Sequence, residues 1–476
     1  MPDGSRHAVY THNRNIFDDP TRYFHEGTFL CIDLKSFYAS VECVERGLDP
    51  MTTKLVVADP ERSTGTICLA VSPALKALGV KNRCRIYEIP DGIEYITAPP
   101  QMQHYIDCSA EIYGVYLQYV AKEDIHVYSI DEAFLDVTSY LSLYHMTAKE
   151  LANEIMAAIY DRTGIRAACG IGTNLYLCKV ALDITAKHSP DFIGILTEDT
   201  YKATLWDHKP LTDFWRIGSG TASRLAKYGM FTMGDIARAA KKNEDFFYRI
   251  FGVDAEILID HANGREPVKI SDIKNYESKD KCLSSGQVLM RDYQYTEALT
   301  VVKEMMQELC MDLTRKGIVT ASITLHVSYS HSWKDRYGLP AASSHGTSSV
   351  PHATDSASIW IKKLQALFIK IVKRDVPIRR IHITCNHVIP SQDTEACQFS
   401  LFDTDGEFTS NISRTMEEQD RNHCLQEALL DVRKKYGKNA ILKGINLEKA
   451  ATGRERNMQI GGHKSGNCND LTRQRR

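Results

Sequence analysis

The order of hydrophobic and polar positions predicts strands and helices in succession through residues 28–198. A short apolar run from Thr28 to Ile32 ends on Asp33 and predicts a buried strand. Apolar residues at helical spacing then predict a helix over 36–45. Further strands are expected at 55–58, 66–71, 126–137 (two runs meeting near Asp131 and Glu132) and 165–171, and helices at 73–79, 148–160 and 174–187. This order favours an α+β sheet with helices on one face.

The pattern of hydrophobic and polar positions divides the rest of the chain into a helical segment and a second α+β unit. Residues 199–268 have helical spacing and turn signals without a good strand, and a second α+β unit follows. Its expected strands are 286–290, 318–327 and 378–385, and its expected helices are 296–315 and 357–372. The Ser-, His- and Gly-rich stretch 331–354 is expected to be a mobile loop. We expect a flexible extension over 1–27 and a weakly structured, basic tail after Pro390.

Length and composition exclude several classes of protein. A chain of 476 residues fits about three domains, and 43% hydrophobic with 25% charged residues is typical of a globular protein. No apolar run approaches the roughly 18 residues of a membrane span, and the N-terminus lacks the core of a signal peptide. The 13 cysteines are odd in number and none are spaced C-x-x-C, which disfavours a disulfide framework or a zinc ribbon. We therefore expect a soluble protein of the reducing cytoplasm.

Charge is distributed unevenly along the chain. The whole chain has a net charge of −2, but residues 1–280 carry −9 and residues 281–390 carry +6. Residues 391–410 contain five acids and no Lys or Arg, and residues 411–476 again carry +6. This distribution is consistent with a carboxylate site for metals and a separate surface for a polyanion. The simpler alternative is that these charges lie on solvated faces without any partner.

Three acids form the first candidate site. Asp33 ends the first strand, and the adjacent Asp131 and Glu132 lie at the predicted hairpin, so their carboxylates can converge on one sheet edge. Adjacent strand residues point to opposite faces, so Asp131 and Glu132 can share a site only at a turn or irregularity. Three hard oxygen donors suit Mg²⁺, and two such ions can catalyse phosphoryl transfer. The alternative is an ordinary hairpin turn, with Asp33 as a helix cap.

A glycine motif at 217–222, I-G-S-G-T-A, is the second candidate. It resembles a helix–hairpin–helix, in which Gly218 and Gly220 would let backbone amides approach a DNA phosphate closely. A plain turn between two helices would also contain such residues.

Two segments carry a more specific resemblance. Residues 29–42, F-L-C-I-D-L-K-S-F-Y-A-S-V-E, and residues 128–136, Y-S-I-D-E-A-F-L-D, resemble the signature segments of Y-family translesion DNA polymerases. The resemblance is strongest to the bacterial UmuC/MucB/ImpB branch, which is related to the DinB enzymes. It covers roughly residues 28–390 and implies a right-hand polymerase with a ferredoxin-like palm, small fingers, a helix–hairpin–helix thumb and an α+β little finger.

The resemblance also implies the extents of these domains. The expected extents are an N-terminal extension (1–27), palm (28–36 and 101–198), fingers (37–100), thumb (199–268), linker (269–281), little finger (282–390) and a tail (391–476).

The resemblance assigns roles to single residues. Asp33 and Asp131 are similar to the metal-binding aspartates, Glu132 to the catalytic glutamate, and Leu34 would add a backbone carbonyl to one of two Mg²⁺ ions. Tyr38 is similar to the steric gate, the ring that excludes a ribose 2′-OH. Read without the resemblance, Tyr38 and the adjacent Phe37 would simply pack on one face of a helix.

Further assignments concern the nucleotide. Phe37 would lie beside Tyr38 under the incoming sugar, Lys187 would reach the triphosphate, and Lys179 would be a basic neighbour. Pro73 and Lys76 stand where DinB-type relatives have a Tyr and an Arg for the phosphates. Lys76 supplies a charge but not a bidentate fork, which puts in doubt how tightly the nucleotide is held.

The tail contains a further motif. Its residues Gln398, Phe399, Ser400, Leu401 and Phe402 resemble the peptide by which bacterial polymerases bind the sliding clamp. The second position is Phe where the typical peptide has Leu, and a stray amphipathic turn is the alternative.

The function implied is a template-directed, error-prone DNA polymerase that adds dNTPs to a primer in translesion synthesis. Its expected partners are primer–template DNA, dNTPs, two Mg²⁺ ions and the sliding clamp, with UmuD′-like subunits or a recombinase filament as candidates, and no membrane. It would be cytoplasmic and associated with the nucleoid. Two alternatives are a nucleotide cyclase and a catalytically weak accessory protein that binds the clamp and DNA.

Overall fold

A computed structural model of the chain describes residues 27–61, 65–278, 281–393 and 406–466. The chain forms two compact units, one comprising Met1–Tyr276 with Lys464–Arg476, the other Glu277–His463. Within the described ranges, no helix combines the length and the apolar character that crossing a bilayer requires.

The first unit contains eight strands and twelve α-helices among its described residues. In chain order they are β1 (Phe29–Leu34), α1 (Phe37–Glu45), β2 (Leu55–Val57), β3 (Ala70–Val71), α2 (Pro73–Ala77), β4 (Ile96–Ala98), α3 (Met102–Tyr116), β5 (Ile125–Val127), β6 (Glu132–Asp136), α4 (Tyr140–Tyr144), α5 (Ala148–Thr163), β7 (Ala167–Gly172), α6 (Leu175–Val180), β8 (Ile193–Leu196), α7 (Glu198–Leu205), α8 (Ser219–Ala226), α9 (Met233–Lys242), α10 (Glu244–Phe251), α11 (Asp254–Ala262) and α12 (Ile270–Asn275).

The central sheet has the order β5-β6-β1-β7-β8, in which β1 pairs antiparallel with β6 and β7. One face of β1 presents Leu30 and Ile32 to a core shared with α3 and α5, whereas Cys31 on the other face packs against α6. The prediction of helices on one face is therefore wrong, because both faces are covered.

Two glycines explain how α6 reaches the second face. A Cβ at Gly170 would lie 2.0 Å from the carbonyl oxygen of Cys178, and one at Gly172 would lie 2.2 Å from its nitrogen. Only glycine lets the helix backbone approach β7 this closely. The predicted single helix 174–187 is instead α6, followed by a wider π-type turn at Ala181–Thr185 and a 3₁₀ turn at Ala186–His188.

A small second sheet, β3-β2-β4, lies within residues 37–100 and has its own core around Val56 and Leu75. The strand expected over 66–71 is reduced to β3 and a single bridge between Ile67 and Arg85. Helix α1 contacts this sheet at β2 and β3, and its Val41 packs in the core of the central sheet. Residues 198–262 are helical and contain no strand, as predicted.

The second unit is an antiparallel sheet covered on one face by two long helices. Its described elements are β9 (Leu283–Tyr293), α13 (Tyr295–Lys316), β10 (Ile318–Tyr329), β11 (Ser344–Thr354), α14 (Ala357–Ile371), β12 (Ile378–Asn386), β13 (Ile389–Pro390), α15 (Gly406–Tyr436), α16 (Gly453–Asn457) and β14 (Gln459–Ile460), and the short strand β15 (His463–Lys464) follows at its end. The main sheet has the order β11-β10-β12-β9. The expectation of a loop over 331–354 is wrong for its second half, because β11 is an edge strand whose polar residues face away from the core.

The expectation of a weakly structured tail is wrong for residues 406–466. Helix α15 packs against α13 through polar contacts, in which the side chain of Gln426 donates to the Thr314 hydroxyl at 2.6 Å and accepts from the Ala357 amide at 3.1 Å. The buried Glu304 carboxylate accepts from the side chain of Asn446 and from the Thr452 amide. These contacts are made by polar residues, so apolar periodicity does not reveal them.

Candidate active site

Strand pairing brings the first two acids together. Asp33 on β1 lies directly opposite Glu132 on β6, so both side chains project from the same face of the sheet. The Leu34 amide donates to the Asp131 carbonyl at 2.9 Å, which holds the next residue beside the end of β1.

Asp131 lies just outside β6, in a turn. The amides of Tyr128 and Ser129 both donate to the Glu132 carbonyl at 3.0 Å, and the Ser129 hydroxyl donates to the Asp131 carboxylate at 2.6 Å. This is the irregularity that two adjacent acids need to contribute to one site. The structure thus brings Asp33, Asp131 and Glu132 to one edge of the sheet.

Electrostatics support this convergence. Burial, together with the charges of Asp131 and Glu132, raises the pKa of Asp33 to about 7, against the opposing charge of Lys179. Asp131 and Glu132 therefore lie close enough to Asp33 for their charges to act on its carboxylate.

This raised pKa predicts a pH-dependent effect of Asp33→Asn on stability. An aspartate ionises near pH 4 in the unfolded chain, so ionisation of Asp33 destabilises the fold as pH rises from about 4 to 7. In the presence of a chelator, we expect Asp33→Asn to be more stable than the wild type at pH 8. The gain should shrink at pH 5.5 by about 2 kcal/mol, as measured by urea unfolding. An equal gain at both pH values would contradict the repulsion.

Glu132 is held by a buried ion pair. Its carboxylate, 9% exposed, accepts from the Lys179 ammonium at 2.9–3.0 Å and from the Cys31 thiol at 3.1 Å. Lys179 also contacts Asp183 at 3.0 Å. Burial alone would lower the pKa of Lys179, but the charges of Asp183, Cys31 and Glu132 raise it. The charge of Lys179, which was expected as a basic neighbour of Lys187, is thus engaged by two carboxylates.

A group of lysines lies next to the acids. The Lys76 ammonium donates to the Ser36 hydroxyl at 2.9 Å, and Lys187 is exposed. Burial lowers the pKa of Lys35, as do the charges of Lys76 and Lys187, while Asp33 opposes them. Sequence reasoning missed Lys35, although its position two residues after Asp33 in the same turn was a usable signal. Ser36 has a left-handed φ of 49°, which turns the chain sharply from β1 into α1.

The two aromatic residues after this turn differ in exposure. Phe37 is 2% exposed and packs in the core, and its contact with an incoming sugar stays a prediction. Tyr38 is half-buried and stacks on Tyr105 with ring centroids 4.5 Å apart. Burial and the charge of Asp131 raise the pKa of Tyr38, which places its hydroxyl within the electrostatic reach of the acids.

The donor set fits a hard divalent cation. Three carboxylates and the Leu34 carbonyl are the oxygen ligands that Mg²⁺ prefers, and a cation would offset the burial and the repulsion that raise the pKa of Asp33. Among the residues that the structure describes, no three Asp, Glu, His or Cys side chains are grouped as a ready metal site. Glu132 lies 2.9 Å from the Lys179 ammonium, so it would have to share a carboxylate oxygen with a cation to join such a site.

Comparison with known proteins identifies the family. Residues 32–183 match the impB/mucB/samB family, and residues 280–401 match the C-terminal domain of that family. The chain belongs to the impB/mucB/samB family of Y-family DNA polymerases. The resemblance inferred from the two signature segments is thereby confirmed.

Relatives and a solved structure agree with this assignment. The polymerase is 30% identical over 448 residues to a Bacillus subtilis protein named for UV-damage repair, UvrX, covering 93% of the chain and 99% of the relative. It is 28% identical to DNA polymerase IV 2 of Halalkalibacterium halodurans, covering 91% and 98%. A Y-family DNA polymerase chimera, Dbh-Dpo4(243-245)-Dbh, matches with a TM-score of 0.58 at 20% identity, covering 76% of this chain and 99% of the other. The predicted α+β fold class is confirmed.

The thumb glycines of the polymerase have no internal role that requires glycine. Gly218 precedes α8 and Gly220 lies in its first turn, and a Cβ at either position would meet no atom within 4 Å. Neither has a positive φ. The space beside them is open to an external ligand, and their contact with DNA stays a prediction. Gln398, Phe399, Ser400, Leu401 and Phe402, predicted to bind the clamp, lie outside the described residues.

Proposed function

We propose that this polymerase performs error-prone translesion synthesis, adding dNTPs to a primer 3′-hydroxyl by two-metal phosphoryl transfer. The observation that carries the proposal is the convergence of Asp33, Asp131 and Glu132 at one sheet edge, next to Lys35 and Lys76. Acids that bind metal ions, beside positively charged lysines, are suited to a triphosphate substrate. Some of its oxygens would bind the metal ions, and others would contact the lysines.

Each residue has a role in this mechanism. Asp33, Asp131, Glu132 and the Leu34 carbonyl would hold two Mg²⁺ ions. Magnesium, when bound, stabilises the charge that develops on the attacking and leaving oxygens. The triphosphate would be bound by three lysines, Lys35, Lys76 and Lys187. Because they act as point charges, they hold phosphate oxygens without the fixed orientation that an arginine fork imposes.

The second unit supports binding of the DNA backbone. The face of its sheet away from α13 and α14 presents polar and basic residues from β10 and β12: Ser322, Thr324, His326, Ser328, Arg380, His382, Thr384 and Asn386. This set contains no carboxylate, and residues 281–390 carry a net charge of +6. We propose that this face contacts phosphates, so affinity should fall steeply with salt.

The thumb motif provides a separate test of DNA binding. We expect Gly220→Ala to weaken binding of primer–template DNA by about fivefold, the value of one lost backbone contact. The same change should leave stability equal or slightly higher, because alanine favours the helix. Fluorescence anisotropy and thermal melting measure the two effects. Gly114→Ala is the matched control, since Gly114 is also helical and its Cβ would also meet open space; an equal loss of affinity there would contradict the assignment.

We also propose that residues 398–402 bind the sliding clamp and that UmuD′-like subunits or a recombinase filament are partners. The motif and the family resemblance support these proposals. Deleting residues 398–402 should abolish stimulation of synthesis by the clamp and leave clamp-free synthesis unchanged.

The experiment for the proposed function is primer extension past an abasic site, with an undamaged template as reference and EDTA as the metal-free control. Extension on both templates that stops with EDTA supports the proposal. Extension restricted to the undamaged template would contradict the translesion role. DNA and clamp binding with no extension on either template would indicate an accessory protein.

A further inference from the structure

The ring of Tyr38 rests on another tyrosine that lies behind it. Tyr105 on α3 stacks on Tyr38 with an interplanar angle of 17°, and it is fully buried whereas Tyr38 is half-exposed. The position of the exposed ring therefore depends on a buried one.

Tyr105 is itself fixed by a hydrogen bond at its far end. Its hydroxyl donates to the Glu42 carboxylate at 2.5 Å, and Glu42 is fully buried. The same carboxylate accepts from the side chains of Arg46 and Gln101. Glu42 thus has three donors, so its carboxylate and the tyrosine bound to it have little freedom to move.

The arrangement links two positions on one helix. Tyr38 and Glu42 are one turn apart on α1, and Tyr105 contacts both, by its ring and by its hydroxyl. A close-packed wall of this kind resists displacement of its outermost ring.

We propose that Tyr105, held by Glu42, is a positioning residue that sets discrimination between deoxyribose and ribose. The inference rests on the proposed function and on the role that the family resemblance gives to Tyr38, exclusion of the 2′-hydroxyl. Steric exclusion works only if the excluding group cannot yield. Without the stack, Tyr38 can move back toward the core and leave space for the 2′-hydroxyl of a ribonucleotide. A deoxynucleotide does not need this space, so its incorporation is unchanged.

The test compares kcat/KM for dGTP and GTP opposite a template dC. For Tyr105→Leu, which loses ring and hydroxyl, we expect the dGTP/GTP ratio to fall about tenfold. For the isosteric Tyr105→Phe, which loses only the hydroxyl bond, we expect a fall of about threefold. In both variants dGTP incorporation should stay within about twofold of the wild type, a split that general loss of structure would not produce.

Two further variants separate positioning from stability. Glu42→Gln keeps an acceptor for Tyr105 and should retain the wild-type ratio. Tyr201→Phe is the matched control, because Tyr201 is equally buried and donates to the His261 carbonyl at 3.0 Å, remote from Tyr38. An unchanged ratio in folded Tyr105→Phe and Tyr105→Leu, or an equal fall in Tyr201→Phe, would overturn the inference. If the leucine variant does not fold, the phenylalanine variant decides.

Failure of the proposed function is recognised separately. A wild type that does not incorporate dGTP would overturn the proposed function and this inference together. An unchanged ratio in Tyr38→Ala would overturn the role of Tyr38, and with it the inference, while leaving polymerase activity in place. A lowered ratio in Tyr38→Ala with no change in the Tyr105 variants overturns the inference alone.

Discussion

Replacing Glu132 by glutamine is expected to slow nucleotide addition by at least about a thousandfold, or about 4 kcal/mol of transition-state stabilisation. Glutamine keeps the shape of the side chain and an oxygen for Lys179, but it removes the charge that lies opposite Asp33. Single-turnover primer extension measures the rate, and circular dichroism shows whether the fold is retained.

Asp183→Asn is the matched control for this prediction. Asp183 also contacts the Lys179 ammonium, at 3.0 Å, but it is not part of the β1–β6 pair. We expect its rate to stay within about threefold of the wild type, because Asp183 contacts Lys179 but does not lie opposite Asp33 in the sheet. Equal losses in the two variants, or full activity of Glu132→Gln, would contradict the assignment of Glu132.

Lys179→Met is expected to have the largest effect on stability. Lys179 and Glu132 are 8% and 9% exposed, so removing the ammonium leaves a buried carboxylate without its counter-ion. Such a change costs about 3–5 kcal/mol. Thermal and urea unfolding of the wild type and the variant, both in the presence of a chelator, measure the loss.

A double variant tests the cause of that loss. In Lys179→Met/Glu132→Gln the buried charge is gone as well, so stability should recover by at least about 1–2 kcal/mol relative to Lys179→Met. Additive losses in the double variant would show that Lys179 acts by packing alone.

Much of the fold could be predicted because apolar periodicity reports burial directly. The strand around Ile32, the helix after Thr147 and the long helix after Gln294 all have one continuous apolar face. Periodicity failed where burial is polar or glycine-dependent. Strand β11 is rich in Ser, Thr and His and lies at an edge of its sheet, and α15 is held by Gln426 rather than by a broad apolar stripe.

The candidate site, like the fold, could be predicted from the sequence only in part. The three acids could be found because two local segments contain them, and only the register of β1 against β6 had to be supplied by the structure. The partner of Lys179 could not be predicted, since an isolated lysine on a helix is equally compatible with phosphate or carboxylate. Tyr105 was missed because its contacts with Tyr38 and Glu42 join positions far apart in sequence.

The central claim is that the edge formed by Asp33, Asp131 and Glu132 catalyses template-directed DNA synthesis. Single-nucleotide addition tests it most directly, with each dNTP supplied alone and Mg²⁺ present, for the wild type and for Asp131→Asn. We predict that the wild type adds mainly the nucleotide complementary to the template. Asp131→Asn should add every dNTP much more slowly than the wild type adds the complementary one. Equal addition by both proteins, or addition by the wild type without regard to the template, would contradict the claim.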